Sequence, residues 1–349
     1  MGTPLVVTTD PSLSDSVLRL AAAAGVGTEV CEGVAQALAR WSAASVVLVG
    51  ADLAPALAAL RPPRRDAVHV LVRDTAPPSD LFGLALTLGA ESVAELPRSE
   101  AWLVELLTDA GDHAPARGLT VGIVGGSGGA GATTFACALG QVASRSGHAL
   151  VLDLDPHGPG LDRVLGLDLQ EGIRWDALQQ TTGRLSSRSL HDAVPRRAGL
   201  GVLTWAPGQV GSLQAFAARE AMSAARRGHD VVVVDLPRAA DPVVDELVSR
   251  CDLLVVVTVP TITGVSSAAR QVRRMRRLGP ARLLVRGDGL PVGEIERATG
   301  VPGALWMRDQ RRLAESIDLG LGPVRSSRGP LALAAAEVLD LLATPGLAA

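Results

Sequence analysis

The chain has 349 residues, 47% of them hydrophobic and 20% charged, with a formal net charge of −3. Length and apolar content suffice for two packed domains, and the charge balance excludes bulk affinity for nucleic acid. All 33 basic residues are arginine, and lysine, asparagine and tyrosine are absent. Residues 1 to about 110 alternate short apolar runs with helical ones. Strands are predicted over 5–9, 28–31, 45–49, 68–72 and 91–96, and helices over 14–24, 34–41, 53–60, 80–88 and 100–110, the first with Asp10 or Ser12 near its cap. Five βα units in succession predict a parallel, doubly wound α/β sheet.

This half resembles, in topology and length, a receiver domain of the response-regulator type. That resemblance implies an acidic pair after the first strand, an aspartate ending the third, a hydroxyl ending the fourth, and a lysine before a proline after the fifth. Here the first strand offers only Asp10, and Asp52 comes late after the third. Arg73 follows the fourth strand, and Leu96 precedes Pro97. Without clustered carboxylates for Mg²⁺ and a cation for the acyl phosphate, the half reads as a degenerate receiver used for docking, with Asp52 a loop or cap residue.

The Gly, Pro and polar content of 111–118 marks a linker, so domains are expected at 1–110 and 119–349. The second domain opens with a strand over 119–124, the glycine-rich run Gly125 to Thr134, and a helix over 135–142. A strand over 148–153 follows, then a helical stretch to about 180 and a polar loop over 181–189. Strands over 201–205, 230–235, 253–259, 282–285 and 304–307 alternate with helices over 212–227, 266–277 and 292–299, before helices near 310–317 and 331–342. The run over 253–259 is so continuously apolar that helices must cover both faces.

Strand, glycine-rich loop and helix together cradle phosphates, because glycines let backbone N–H groups converge and the helix N-terminus adds positive potential. A Walker A loop reads G-x-x-x-x-G-K-[ST], and Gly126-Ser127-Gly128-Gly129-Ala130-Gly131-Ala132-Thr133 keeps the glycine frame and the hydroxyl. Ala132 stands where lysine belongs. The loop resembles the deviant Walker A motif of the ParA/MinD family, K-G-G-x-G-K-[ST]-T, through Gly128, Gly129, Gly131, Thr133 and Thr134. Ser127 replaces the signature lysine and Ala132 the P-loop lysine, and no other lysine exists to step in. The resemblance extends from Gly118 to the end of the chain. It implies that Thr133 and Asp235 hold Mg²⁺, and that Asp153 and Asp155 form the segment sensing the γ-phosphate. It further implies ATP or ADP with Mg²⁺ as cofactor, here held weakly: a lost charge-assisted contact is worth about 1.5–3 kcal/mol. In active relatives the signature lysine crosses a two-fold interface to the partner's nucleotide, so a homodimer is also implied. Where the family has Asn-Arg for adenine, this chain has Arg286-Gly287.

A degenerate receiver joined to a degenerate ParA/MinD-type domain resembles the CpaE/TadZ group, most of all its actinobacterial, septum site-determining members. The reading is a spatial regulator of septum placement or of Flp/Tad pilus and secretion assembly, acting through protein partners in that machinery without full ATPase activity. The alternative is a slow MinD-type ATPase in which an arginine supplies the missing charge; a receiver phosphorylated on Asp52 or Asp10 has least support. Arg270, Arg273, Arg274 and Arg277 share one helical face by spacing, which reads first as a solvated face, and nonspecific nucleic acid is not an expected partner. Cys31, Cys137 and Cys251 are expected as buried thiols, and the six histidines show no metal-ligand spacing. No signal peptide or membrane insertion is expected; the address should be cytoplasmic, polar or septal.

Overall fold

The computed structural model describes residues 3–73, 80–111, 118–178, 185–208 and 211–343. Two compact units divide the chain, Met1–Ala114 and Pro115–Ala349. Most of the predicted linker, and the first part of the predicted polar loop, lie outside the described residues.

The first unit runs β1 (Leu5–Val7), α1 (Pro11–Ala23), β2 (Glu29–Cys31), α2 (Val34–Arg40), β3 (Val47–Gly50), α3 (Ala54–Ala59), β4 (Val68–Arg73), α4 (Leu81–Leu88), β5 (Ser92–Leu96) and α5 (Glu100–Gly111). Its strands form one parallel sheet in the order β2-β1-β3-β4-β5. Alternate residues enter opposite cores. Val7, Val49 and Val70 pack with Leu57 and Leu81 on one face, and Val6, Leu48 and Leu71 with Val17 and Leu103 on the other. Burial on both faces is why these strands read as apolar runs. Helix α1 starts at Pro11 rather than near Ser14, because the Asp10 carboxylate accepts from the amides of Ser12 and Leu13 and proline suits the first turn.

The second unit runs β6 (Leu119–Gly125), α6 (Ala132–Ala143), β7 (Ala149–Asp153), α7 (Leu161–Leu165), α8 (Trp175–Leu178), α9 (Ser187–Ala193), β8 (Arg196–Arg197), β9 (Leu200–Leu203), α10 (Ala215–Gly228) and β10 (Val231–Leu236). It continues through α11 (Pro242–Val248), β11 (Leu253–Thr258), α12 (Ile262–Met275), β12 (Ala281–Arg286), α13 (Val292–Thr299), β13 (Leu305–Met307), α14 (Leu313–Asp318) and α15 (Pro330–Ala343). The sheet order is β13-β12-β11-β6-β10-β7-β9-β8, parallel except for β8 against β9. One core packs Phe135 and Leu139 of α6 and Leu331 of α15 against Val121, Ile123 and Val255; the other packs Met222, Leu247 and Val272 against Val124, Val234 and Val256.

Several predicted elements are corrected. The helical stretch to about 180 is two short helices, since Gly166 ends α7 in the left-handed region. Helix α9 takes up the end of the predicted polar loop, with Ser186 as its cap. Strand β8 and helix α11 were not expected, although Asp241-Pro242 is a regular helix start and the Asp241 carboxylate does cap α11. Thr261 caps α12 and draws its start back to Ile262, and the helix ends at Met275, so Arg277 lies past it. All three cysteines are buried and free. Among the described residues no helix is long and apolar enough to cross a membrane.

Candidate functional site

Strand β6 lies between β10 and β11, so the glycine-rich loop emerges at the carboxyl edge of the sheet, where open α/β folds place ligands. The Gly126 amide donates to the Val257 carbonyl at 2.7 Å and pins the loop's entry to β11. Gly129 and Gly131 have φ of +72° and +94°, values that L side chains rarely adopt. Gly131 caps α6 without a side-chain hydrogen bond, so the first-turn amides of Ala132, Thr133 and Thr134 have no intrahelical acceptor. Ser127 and the residues from Gly131 to Thr134 are half-buried, Gly128 and Gly129 exposed, and Ala130 buried. The loop thus has the backbone of an anion cradle, and α6 supplies it no cation.

Behind the loop stand two buried acids. Strand register sets Asp235, near the tip of β10, directly beside Asp153 at the tip of β7. Burial pushes the Asp235 carboxyl well above its ordinary value of 3.8, the charges of Asp153 and Asp155 push the same way, and the Thr133 hydroxyl opposes by donating to it. Burial also pushes Asp153 up to about 7, against hydrogen bonds that favour its anion. Thr204 Oγ1 donates to Asp153 Oδ2 at 2.6 Å, and the Asp155 amide donates to Oδ1 at 3.1 Å. Trp175 Nε1 donates to the Asp153 carbonyl at 2.6 Å, while Thr204 Oγ1 accepts from the Leu161 amide at 3.2 Å. Both Asp153 oxygens are therefore engaged within the protein. Asp155 sits in the turn after β7, where it accepts from the His157 amide at 3.0 Å.

Of the residues singled out in sequence, Thr133, Asp153 and Asp235 meet at one point beside the loop. Among the described residues no group of three His, Cys, Asp or Glu side chains could hold a metal unaided. A Mg²⁺ ion that leans on phosphate oxygens needs only one or two protein oxygens, and Thr133 with Asp235 fits that need. Thr204 and Trp175 were missed; only their places, at and just beyond strand ends, hinted at the site.

Arg286, marked in sequence as a departure from Asn-Arg, braces the loop. Its Nη1 donates to the carbonyls of Ala130 at 3.1 Å and Gly129 at 3.4 Å, and its Nε lies 3.1 Å from Asp309 Oδ1. The arginine face of α12 is partly structural: Arg274 ties to Asp245 of α11 and to the Arg238 carbonyl. In the first unit, Asp52 Oδ1 accepts from Thr8 Oγ1 at 2.8 Å, and Oδ2 accepts from the Thr9 amide at 2.7 Å and Thr9 Oγ1 at 2.8 Å. Burial would raise its pKa, but these hydrogen bonds together hold it below the ordinary value. Asp52 and Asp10 are thus both occupied by structural donors.

Fold and site define the class: a CheY-like, receiver-like domain followed by a ParA/MinD-type P-loop domain with a parallel sheet. The family model described as Rv3660c-like, CheY-like N-terminal domain matches residues 7–118. Uncharacterized protein Rv3660c of Mycobacterium tuberculosis (strain ATCC 25618 / H37Rv) is 36% identical over 347 residues, spanning 97% of each chain. The chain belongs to the Rv3660c-like family. In structure it is similar to a ParA family ATPase from Chlorobium tepidum TLS, with TM-score 0.55, 16% identity, and coverage of 65% of this chain and 98% of that one. The septum site-determining protein MinD complexed with Mg-ADP from Pyrococcus horikoshii OT3 follows at TM-score 0.53 and 19% identity, covering 66% and 98%. A chain of the MinC:MinD cell division protein complex of Aquifex aeolicus matches at TM-score 0.52 and 17% identity, covering 64% and 96%.

Proposed function

We propose that this protein is a spatial regulator of the ParA/MinD type, placing the septum or a Flp/Tad pilus and secretion assembly through protein partners rather than through ATP turnover. One observation carries the reading. The cradle of a P-loop is intact, yet Ala132 leaves it without its lysine, and Asp153 spends both oxygens on Thr204 and the Asp155 amide. A carboxylate so engaged is poorly placed to orient an attacking water, and without the P-loop lysine the loop itself brings no ammonium to a transferred phosphoryl group. The amides of Gly126 to Thr134 then serve to hold a phosphate chain and Thr133 with Asp235 its Mg²⁺, with Asp153 and Asp155 standing beside the nucleotide site. Nucleotide has the charge and shape for such a site, and the Pyrococcus MinD of similar fold is complexed with Mg-ADP. Binding to a partner protein has a parallel in the MinC:MinD complex. The occupied state of Asp52 and Asp10 supports a first domain that docks rather than accepts phosphoryl groups.

The test is twofold. Purified full-length protein should hydrolyse ATP no faster than a no-enzyme blank, and a fluorescent fusion should keep a polar or septal focus that depends on residues 1–110. Hydrolysis well above the blank that disappears in Asp153→Ala would favour the second reading, a slow MinD-type ATPase. What favours that reading is the arginine density around the loop.

A further inference from the structure

The loop lacks a lysine but not a neighbouring cation. Arg238 follows the tip of β10 in the run Asp235-Leu236-Pro237-Arg238. Its side chain lies along the loop: a Cβ placed on Gly125 would be 3.6 Å from Arg238 Cδ and 3.7 Å from Ala132 Cβ. A Cβ placed on Gly128 would be 3.6 Å from Arg238 Nη1. Arg238 therefore runs beside the same stretch of loop that Ala132 faces, and its guanidinium reaches the exposed glycine turn.

The two arginines at the loop differ in what they are free to do. Arg286 spends its guanidinium on the loop carbonyls and Asp309. Arg238 has no carboxylate or carbonyl bound to its guanidinium among the described residues, and it is exposed. Its backbone, in contrast, is fixed: the Arg238 carbonyl accepts from Gln271 Nε2 at 3.0 Å and Arg274 Nη1 at 3.1 Å, and Arg274 is itself held by Asp245. An anchored root with an unspent, forked charge beside orphan amides is suited to an anion with several oxygens.

We propose that Arg238 is the cation of this site, taking from a different strand the place left by the missing P-loop lysine. The ligand class is a phosphate chain, held between the first-turn amides of α6 and the Arg238 guanidinium. This rests on the proposed reading of the loop as a phosphate site and names the residue that makes it workable without lysine. A nucleoside diphosphate, a nucleoside triphosphate and free pyrophosphate share the recognised chemistry.

Isothermal titration of full-length protein with ADP, ATPγS and pyrophosphate, each with Mg²⁺, tests it. The wild type should bind, and Arg238→Ala should weaken binding by about ten- to a hundredfold, the range for one charge-assisted contact. Arg238→Lys should stay within a few-fold of the wild type, and adding Ala132→Lys to Arg238→Ala should recover affinity. Thermal midpoints should be unchanged, since Arg238 is exposed. Pyrophosphate binding as tightly as ADP would assign the site to phosphate chains at large; tighter ADP binding would assign it to nucleotides. Wild-type binding that Arg238→Ala leaves intact, or a loss that neither lysine variant recovers, would overturn the role of Arg238 while leaving the loop a phosphate site. No binding of any probe by the wild type would overturn both.

Discussion

Asp153 shows what burial beside a second acid does to one side chain. Burial above all, with the charge of Asp155 acting the same way, pushes the Asp153 carboxyl up to about 7 from 3.8, against the hydrogen bonds from Thr204 and the Asp155 amide. A raised folded pKa means the folded state binds that proton more tightly than the unfolded chain. The resulting stability is complete below about 3.8 and is lost as pH rises through about 7. At about 1.4 kcal/mol per pH unit the contribution is bounded by roughly 4 kcal/mol. Asp153→Asn should therefore flatten the fall in Tm between about pH 5 and about pH 8 seen by scanning calorimetry. Equal slopes in variant and wild type would refute the buried-proton account. Asp52 is the opposite case, an anion with its donors in place. Removing it in Asp52→Ala strands the buried Thr8 hydroxyl and should cost about 1–3 kcal/mol in chemical denaturation. For the same reason acetyl phosphate with Mg²⁺ should leave the wild-type intact mass unchanged; a gain of one phosphoryl group, absent in Asp52→Ala, would restore a working receiver.

At the scale of elements, α9 and α10 meet through histidines rather than through apolar side chains alone. His191 Nδ1 lies 3.2 Å from His229 Nε2, the His148 ring stands edge-on to His191 at 5.0 Å, and His229 Nδ1 lies 3.1 Å from the Ala225 carbonyl. Burial pushes His229 down to about 4, and His191 is lowered by burial, Arg196 and His148. A depressed folded pKa gives stability that is present above the ordinary value of 6.5 and is lost as pH falls through about 4. Amides of α9 should thus lose exchange protection on acidification, once intrinsic rates are corrected; protection unchanged at about pH 5 would contradict this. None of this packing was legible in sequence, because α9 lies in a polar run whose periodicity is set by its contact with α10. The central strands, by contrast, were plain, since double-faced burial writes itself as unbroken Val and Leu. The glycine frame, Thr133 and the strand-tip acids were equally plain, being fixed by spacing along the chain. Thr204, Trp175 and Arg238 were not, because only the β7–β9 and β6–β10 pairings bring them to the loop.

At the scale of the whole molecule, the chain joins two α/β units, neither of which carries the lysine that the family resemblances assign to its chemistry. Under the proposed reading the molecule acts by binding, so its oligomeric state becomes the decisive property. The resemblance to ParA/MinD proteins implies a dimer glued by nucleotide, through a signature lysine reaching into the partner's site. Ser127 stands at that place and is too short and uncharged to cross an interface. Arg238 is placed to serve the loop of its own chain. A ligand held wholly within one subunit has no differential affinity for monomer and dimer, and such a ligand shifts no equilibrium. Any self-association should therefore be the same with and without Mg²⁺-ATP. Analytical ultracentrifugation across a concentration series gives the association constant under both conditions. Matching constants are expected, and they describe a scaffold whose assembly is set by its concentration and its partners. Tightening by ATP beyond about tenfold, roughly 1.4 kcal/mol, would show a site that still bridges subunits, and would return the protein to the switching members of its fold.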